Sequence, residues 1–319
     1  MVDSKQQWKA WLYLAPALIL LAIFTVWPII NTVRIAFIAD YDIQKLIGGQ
    51  EFKFSFAHMF DNFKAIVTYN NFLVCLRNTI LLCVLTVPLS TLIALLIAVC
   101  LNSIKPLNRL LQTIYFLPYV TNSIAIGIVF YQMFNVINVA KLGTKYEDVA
   151  VTVGIVNTFL KVFGVKAQNW VNMGSSLFNN YFVMVFYIVW NALPFKILIL
   201  LGGLQSVNRQ YYDAAKVDGT SRSRTFWRIT VPLLSPMIVY VVITGFIGGF
   251  KEYSSVVGVF GEKMGPPGAT YRMDTMVGLI YRMIDTNQGQ ASAGALILFG
   301  IILVVTLINL YVSKKRVQY

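Results

Sequence analysis

The chain has 319 residues, 57% of them apolar and only 12% charged, where an ordinary soluble domain carries about 25% charged residues. Too little polar surface remains to cover a water-facing body, so a soluble globule is excluded. The formal net charge is +13, but the basic residues flank apolar blocks and form no basic face on a soluble module, which argues for a membrane rather than nucleic acid.

The N-terminal basic residues Lys5 and Lys9 precede a charge-free run over residues 10–33. That run exceeds the about 7–15 residues of a secretory apolar core and leads through Trp27-Pro28 rather than to a small-residue cleavage site. It reads as a retained first span. Five more apolar, nearly charge-free stretches follow, each long enough to cross a bilayer. The expected spans are residues 11–38, 78–101, 110–134, 179–204, 231–250 and 291–312. The expected fold is therefore all-α: a polytopic membrane bundle of six transmembrane helices forming a single domain over residues 1–319. Residues 149–160 are apolar but short, and read as an interfacial helix between the third and fourth spans.

Cys75, Cys83 and Cys100 fall in or just before the second span. Their spacing along a helix puts them roughly 12 and 25 Å apart, beyond disulfide reach, so they read as small apolar fillers. His58 is the only histidine and has no companion for a metal site.

Six spans put both termini on one side. Equal numbers of Lys and Arg fall on each side, but one side concentrates them in less than half the length, and in short loops. By the positive-inside rule that side, with Lys314-Lys315-Arg316, is cytoplasmic. Arg34 sits near the outer end of the first span and reaches the headgroups by snorkelling.

The loop at 205–230 then lies in the cytoplasm. Asn208 and Ser221 are suited to cap two short helices. Gly219 supplies the left-handed turn between them, and Pro232 fits a first helical turn. Ala214 and Ala215 leave the first helix without bulk, which suits insertion into a partner's groove. Phe226 and Trp227 are placed to pack the loop back on the bundle.

These residues carry a resemblance. Asp213-Ala214-Ala215, Asp218-Gly219, Phe226, Ile229-Thr230, Pro232 and Ser235-Pro236 resemble the coupling loop of binding-protein-dependent ABC importer permeases. The family's first acidic position, commonly Glu, is Asp213 here, and its Ala after the Gly is Thr220. Phe116-Leu117-Pro118-Tyr119, Asp61-Asn62-Phe63 and Gly265-Pro266-Pro267 are similar to the maltose-type sugar branch. The resemblance implies a type I importer permease fold. It implies that Asp213, Ala214, Ala215, Asp218 and Gly219 contact an ATPase subunit. It further implies a second, homologous permease forming a heterodimer, two ATPase subunits carrying ATP and Mg, and an extracellular solute-binding protein. The location implied is the bacterial cell membrane.

A sugar path needs polar and aromatic groups at membrane depth, where each is costly unless it faces a cavity. The fourth span offers Trp190, Asn191, Pro194, Phe195 and Lys196. The fifth offers Thr244, Gly245, Gly248 and Gly249, followed by Lys251 and Glu252. By resemblance, Asn191, Phe195, Gly245, Gly249 and Glu252 fall on lining positions. Lys196 has three readings: it lines the path, it is satisfied by Asn191 or a neighbouring subunit, or it snorkels toward the cytoplasm. The glycines read equally as packing devices.

No G-x-x-x-x-G-K-[ST] motif and no catalytic cluster occurs in the sequence, so no cofactor is expected in this chain, and ATP hydrolysis is expected on partners. An ion-coupled secondary transporter is the alternative mechanism; it calls for inverted repeats and more buried acids. A non-sugar solute such as glycerol phosphate is the alternative cargo.

Overall fold

The computed structural model describes residues 7–39, 41–49, 56–104, 108–140 and 149–316. The chain divides into two compact units, residues 1–72 with 279–300, and residues 73–278 with 301–319.

Four helices are long and apolar enough to cross a bilayer: Trp8–Ala36, Phe72–Ser103, Leu177–Ser206 and Gln288–Lys314. Two bent pairs, Thr113–Val120 with Ser123–Phe134 and Arg222–Leu233 with Ser235–Phe250, bring the number to six when each pair counts as one span. All six expected stretches are thus helical, but the third and fifth are not straight. The third turns through 104°. Asn122 takes an extended conformation there, and its side-chain oxygen accepts from the amides of Ile124 at 2.8 Å and Ala125 at 3.4 Å, starting a new helix.

The expected helix at 149–160 is also corrected. Its first part, Val149–Val153, is a strand paired antiparallel with Val136–Ala140, and helix resumes only at Ile155–Val162. A β-branched Val-Ala-Val-Thr-Val run favours the pleated form. This two-strand ribbon is the sole sheet among the described residues.

In the first unit, the first span widens into a π-turn at Ala22–Val26, just before Pro28. Pro28 has no amide hydrogen, and its ring crowds the carbonyl four residues back, so the helix widens there. Asn62, from the motif noted above, is buried and donates through Nδ2 to the carbonyls of Ala36 at 3.1 Å and Ile38 at 2.8 Å. It thereby ties down the end of the first span, where carbonyls lack helical partners. Gly289 packs directly on the Asn62 amide, and Gly294 on Ile66 and Ile280.

In the second unit, two apolar cores share the second and fourth spans. One gathers Leu82, Phe130, Phe134, Met184, Tyr187 and Val256, with the Phe130 ring 4.7 Å from that of Tyr187 and 5.3 Å from that of Trp190. The other gathers Ala94, Ala98, Leu101, Ile197, Leu200, Leu204 and Val241. Between them the second span has a polar interval at Thr86–Thr91 and the fourth at Asn191–Lys196, and the fifth span has one at Thr244–Gly249. Thr79, Thr86, Ser90 and Thr91 each return their hydroxyl proton to the carbonyl four residues earlier, at 2.5 to 2.8 Å. A hydroxyl satisfied within its own helix is tolerated among apolar neighbours.

The three cysteines form no disulfide: Cys75 and Cys83 are buried, as small fillers would be, whereas Cys100 is exposed. His58 forms an exposed pair with Asp61 at 2.8 Å.

Candidate functional site: a polar cavity and an exposed loop

The three polar intervals border an open cavity of about 300 Å³. It is bordered by Thr86, Val87 and Ser90 of the second span, by Asn191, Phe195 and Lys196 of the fourth, and by Thr244, Gly245, Gly248 and Gly249 of the fifth. Tyr119, Ile188, Ala192 and Glu252 border it as well. All six residues expected on the path, Asn191, Phe195, Lys196, Gly245, Gly249 and Glu252, therefore border one space. Trp190 and Pro194 do not; Trp190 belongs to the aromatic core, and Pro194 faces Tyr115 and Phe116.

The side chains in this cavity have definite partners. The Lys196 ammonium is buried and donates to Ser90 Oγ at 2.8 Å, Thr91 Oγ1 at 2.9 Å and the Val87 carbonyl at 3.1 Å. All three of its protons are thus placed on the second span. Within this chain it therefore neither bonds Asn191 nor runs out toward solvent. Asn191 instead donates to Ser123 Oγ at 3.2 Å, beside Tyr187, whose hydroxyl donates to the Ser123 carbonyl. The Phe195 ring stacks on Tyr119 with centroids 5.9 Å apart and planes 19° apart, so the cavity has an aromatic wall. Glu252 accepts the Ser255 amide at 3.0 Å, while its backbone carbonyl accepts from Thr275 Oγ1 at 2.8 Å.

The glycines divide by role. A Cβ on Gly249 would lie 2.8 Å from Cys83 Sγ, and one on Gly245 would lie 3.2 Å from Lys196 Nζ. Both let the fifth span press on its neighbours. Gly248 meets nothing within 4 Å and leaves the cavity open.

Thr86, Ser90 and Tyr119 were missed as lining residues in the sequence. Thr86 and Ser90 recur at i and i+4 in an otherwise apolar span, which is the signal that marks a polar face.

A second cavity, of about 830 Å³, lies against Ile124, Ile128, Tyr131 and the loop holding Gly265-Pro266-Pro267. The loop is anchored by Asn78, whose Nδ2 donates to the carbonyls of Arg272 at 3.0 Å and Asp274 at 2.8 Å.

In the 205–230 loop a helix spans Gln210–Val217. Asn208 accepts the Gln210 amide at 3.0 Å. Gly219, with φ +67°, closes the helix, and the Thr220 amide returns to the Ala215 carbonyl at 2.9 Å. Asp213, Ala214, Asp218 and Gly219 are exposed, and Asp213 pairs with Lys216 at 3.0 Å. Ala215 is buried. The two alanines therefore share no outward face, since successive helical residues point about 100° apart. Ser221 caps the second piece through the Arg224 amide at 3.4 Å. That piece runs from Arg222–Thr225 into a π-turn at Phe226–Thr230 and on to Leu233. Its Trp227 is 63% exposed and does not pack back on the bundle.

Comparison with known proteins agrees with this architecture. The arabinooligosaccharide transport permease AraP of Bacillus subtilis is 29% identical over 308 residues, covering 95% of this chain and 88% of that one. The trehalose/maltose transport permease MalF of Thermococcus litoralis is 26% identical over 308 residues, covering 96% and 94%. Among solved structures, a bacterial ABC transporter importing the acidic polysaccharide alginate superposes with a TM-score of 0.75 at 20% identity, over 98% of each chain. Residues 90–318 match the family model described as binding-protein-dependent transport system inner membrane component, and this chain is a member of that family.

Proposed function

We propose that the chain is one of two permease subunits that form the translocation path of a carbohydrate importer, with an oligosaccharide as cargo. The supporting observation is the convergence of Asn191, Phe195, Lys196, Gly245, Gly249 and Glu252 on one cavity between two apolar cores. The cavity offers a sugar an aromatic wall, from Phe195 and Tyr119, and hydrogen-bonding groups from Asn191, Ser90 and Thr244. Such a mix of apolar surface with a few placed polar groups suits a small-molecule site. The names of the relatives point the same way.

In this reading the whole chain acts as a single membrane domain with both termini in the cytoplasm. A solute-binding protein delivers the sugar outside. Two ATPase subunits, holding ATP and Mg, close against the loop at 205–230. Asp213, Ala214, Asp218 and Gly219 offer the contact surface, with Ala215 supporting the helix from beneath. Closure tilts the fourth and fifth spans, which continue directly into the loop, and the cavity between them changes its opening. A second, different permease completes the path.

The test is uptake of a panel of labelled oligosaccharides by the assembled importer in proteoliposomes, with Asn191→Ala and Phe195→Ala alongside. The reading expects ATP-dependent uptake of at least one sugar, at least tenfold weaker in both variants. Uptake driven by an ion gradient without ATP would return the secondary-transporter alternative. One observation favours a second cargo: the Lys196 ammonium borders the cavity, which suits a small anionic solute such as glycerol phosphate. Competition of sugar uptake by that solute separates the two.

A further inference from the structure

The second half of the 205–230 loop carries an exposed surface that the contact proposed for Asp213, Ala214, Asp218 and Gly219 does not include. The helical run Arg222–Leu233 meets the span Ser235–Phe250 at 67°. Membrane spans tilt by only ~20° on average. If Ser235–Phe250 crosses the bilayer, the run before it lies nearer to the membrane plane than to its normal.

The residues on this run are sorted by side. Arg224, Trp227 and Arg228 lie within about one turn of each other, where Arg222–Thr225 passes into the π-turn Phe226–Thr230. All three are exposed. Thr230 is buried, and Phe226 and Ile229 are half-buried, which fixes the opposite side against the protein. The Phe226 ring braces Trp227 edge-on, with centroids 4.9 Å apart. Neither guanidinium has an ion-pair or hydrogen-bond partner among the described residues, and Asp213 of the same loop is paired with Lys216.

We propose that Arg224, Trp227 and Arg228 bind the phosphate of anionic phospholipid headgroups, and so seat the loop on the membrane surface. Guanidinium groups form paired hydrogen bonds with phosphate oxygens. An indole settles at headgroup depth, where its ring is half in apolar surroundings. Basic groups beside an anionic leaflet each contribute roughly a fivefold gain in binding. The charge and the aromatic ring together match a lipid surface better than an acidic protein groove, which would leave the indole without an apolar neighbour. The inference requires only that this chain crosses the bilayer here; it does not depend on the cargo or on which partner the first helix contacts.

The experiment uses the full chain, alone and assembled with its ATPase and permease partners, in nanodiscs of phosphatidylcholine with a minor fraction of phosphatidylglycerol. Either lipid is brominated near the headgroup end of its acyl chains, and tryptophan emission is recorded. The difference between the parent protein and Trp227→Phe isolates Trp227 from the other five tryptophans. Brominated phosphatidylglycerol is expected to quench Trp227 more strongly than brominated phosphatidylcholine at equal mole fraction. The double change Arg224→Gln with Arg228→Gln is expected to equalise the two, and the double change to Lys to keep the preference. Equal quenching in the parent protein overturns the proposal. So does loss of quenching in the assembled importer, which assigns the surface to a protein neighbour. Uptake and ATPase rate measured in the same nanodisc or vesicle preparations report the transport reading separately.

Discussion

Gly127 and Gly258 meet backbone to backbone: a methyl group on Gly127 would lie 2.6 Å from the Cα of Gly258. The first belongs to the helix Ser123–Phe134 and the second to Ser254–Phe260. Small residues allow helices within a membrane to approach this closely. Gly127→Ala is therefore expected to force these helices apart and cost about 1–3 kcal/mol. Thermal unfolding of the purified protein in detergent should show a lowered midpoint. Gly300→Ala, where a methyl group meets nothing within 4 Å, should leave the midpoint in place.

Lys196 gives a prediction with a sign. Its ammonium faces three oxygens of the second span, and both hydroxyls have other partners within their own helix. Lys196→Met removes a buried charge and leaves no hydroxyl proton stranded, so folding should survive with a small shift in either direction. Lys196→Glu sets a carboxylate against acceptors and should cost more than about 3 kcal/mol. Size-exclusion profiles and unfolding midpoints decide between these outcomes. A stable Glu variant would mean that the three contacts are not as described.

The neighbouring alanines of the loop should respond differently to the same change. Ala214 is exposed and Ala215 is buried. Ala214→Arg should leave the permease folded yet reduce ATP-driven uptake at least tenfold, if the exposed side is the one that docks. Ala215→Arg should disturb the loop itself, seen as faster proteolysis within residues 205–230. Equal proteolysis of both variants would contradict the sided helix.

Asn62 tests the first unit. It donates to two carbonyls at the end of the first span. Asn62→Asp keeps the shape but replaces a donor with a charged acceptor, at a cost of about 1–3 kcal/mol from unmet hydrogen bonds. The unfolding midpoint should fall, while Asp61→Asn, at an exposed position, should have little effect.

Length, hydropathy and charge were enough to establish that this chain is a membrane protein with up to six helical crossings, because covering apolar surface and satisfying backbone groups leave a bilayer-embedded chain few alternatives. The cap at Ser221 and the left-handed turn at Gly219 were legible for a similar reason: each depends on chemistry within a few residues. Tertiary structure alone decided the partners of Lys196, since Val87, Ser90 and Thr91 are more than a hundred residues away in the chain. It likewise decided the 104° and 67° bends, because an apolar run has the same composition whether straight or broken. The split between Ala214 and Ala215 depended on which side of a short helix the rest of the unit covers, and hydropathy carries no such direction for two identical side chains.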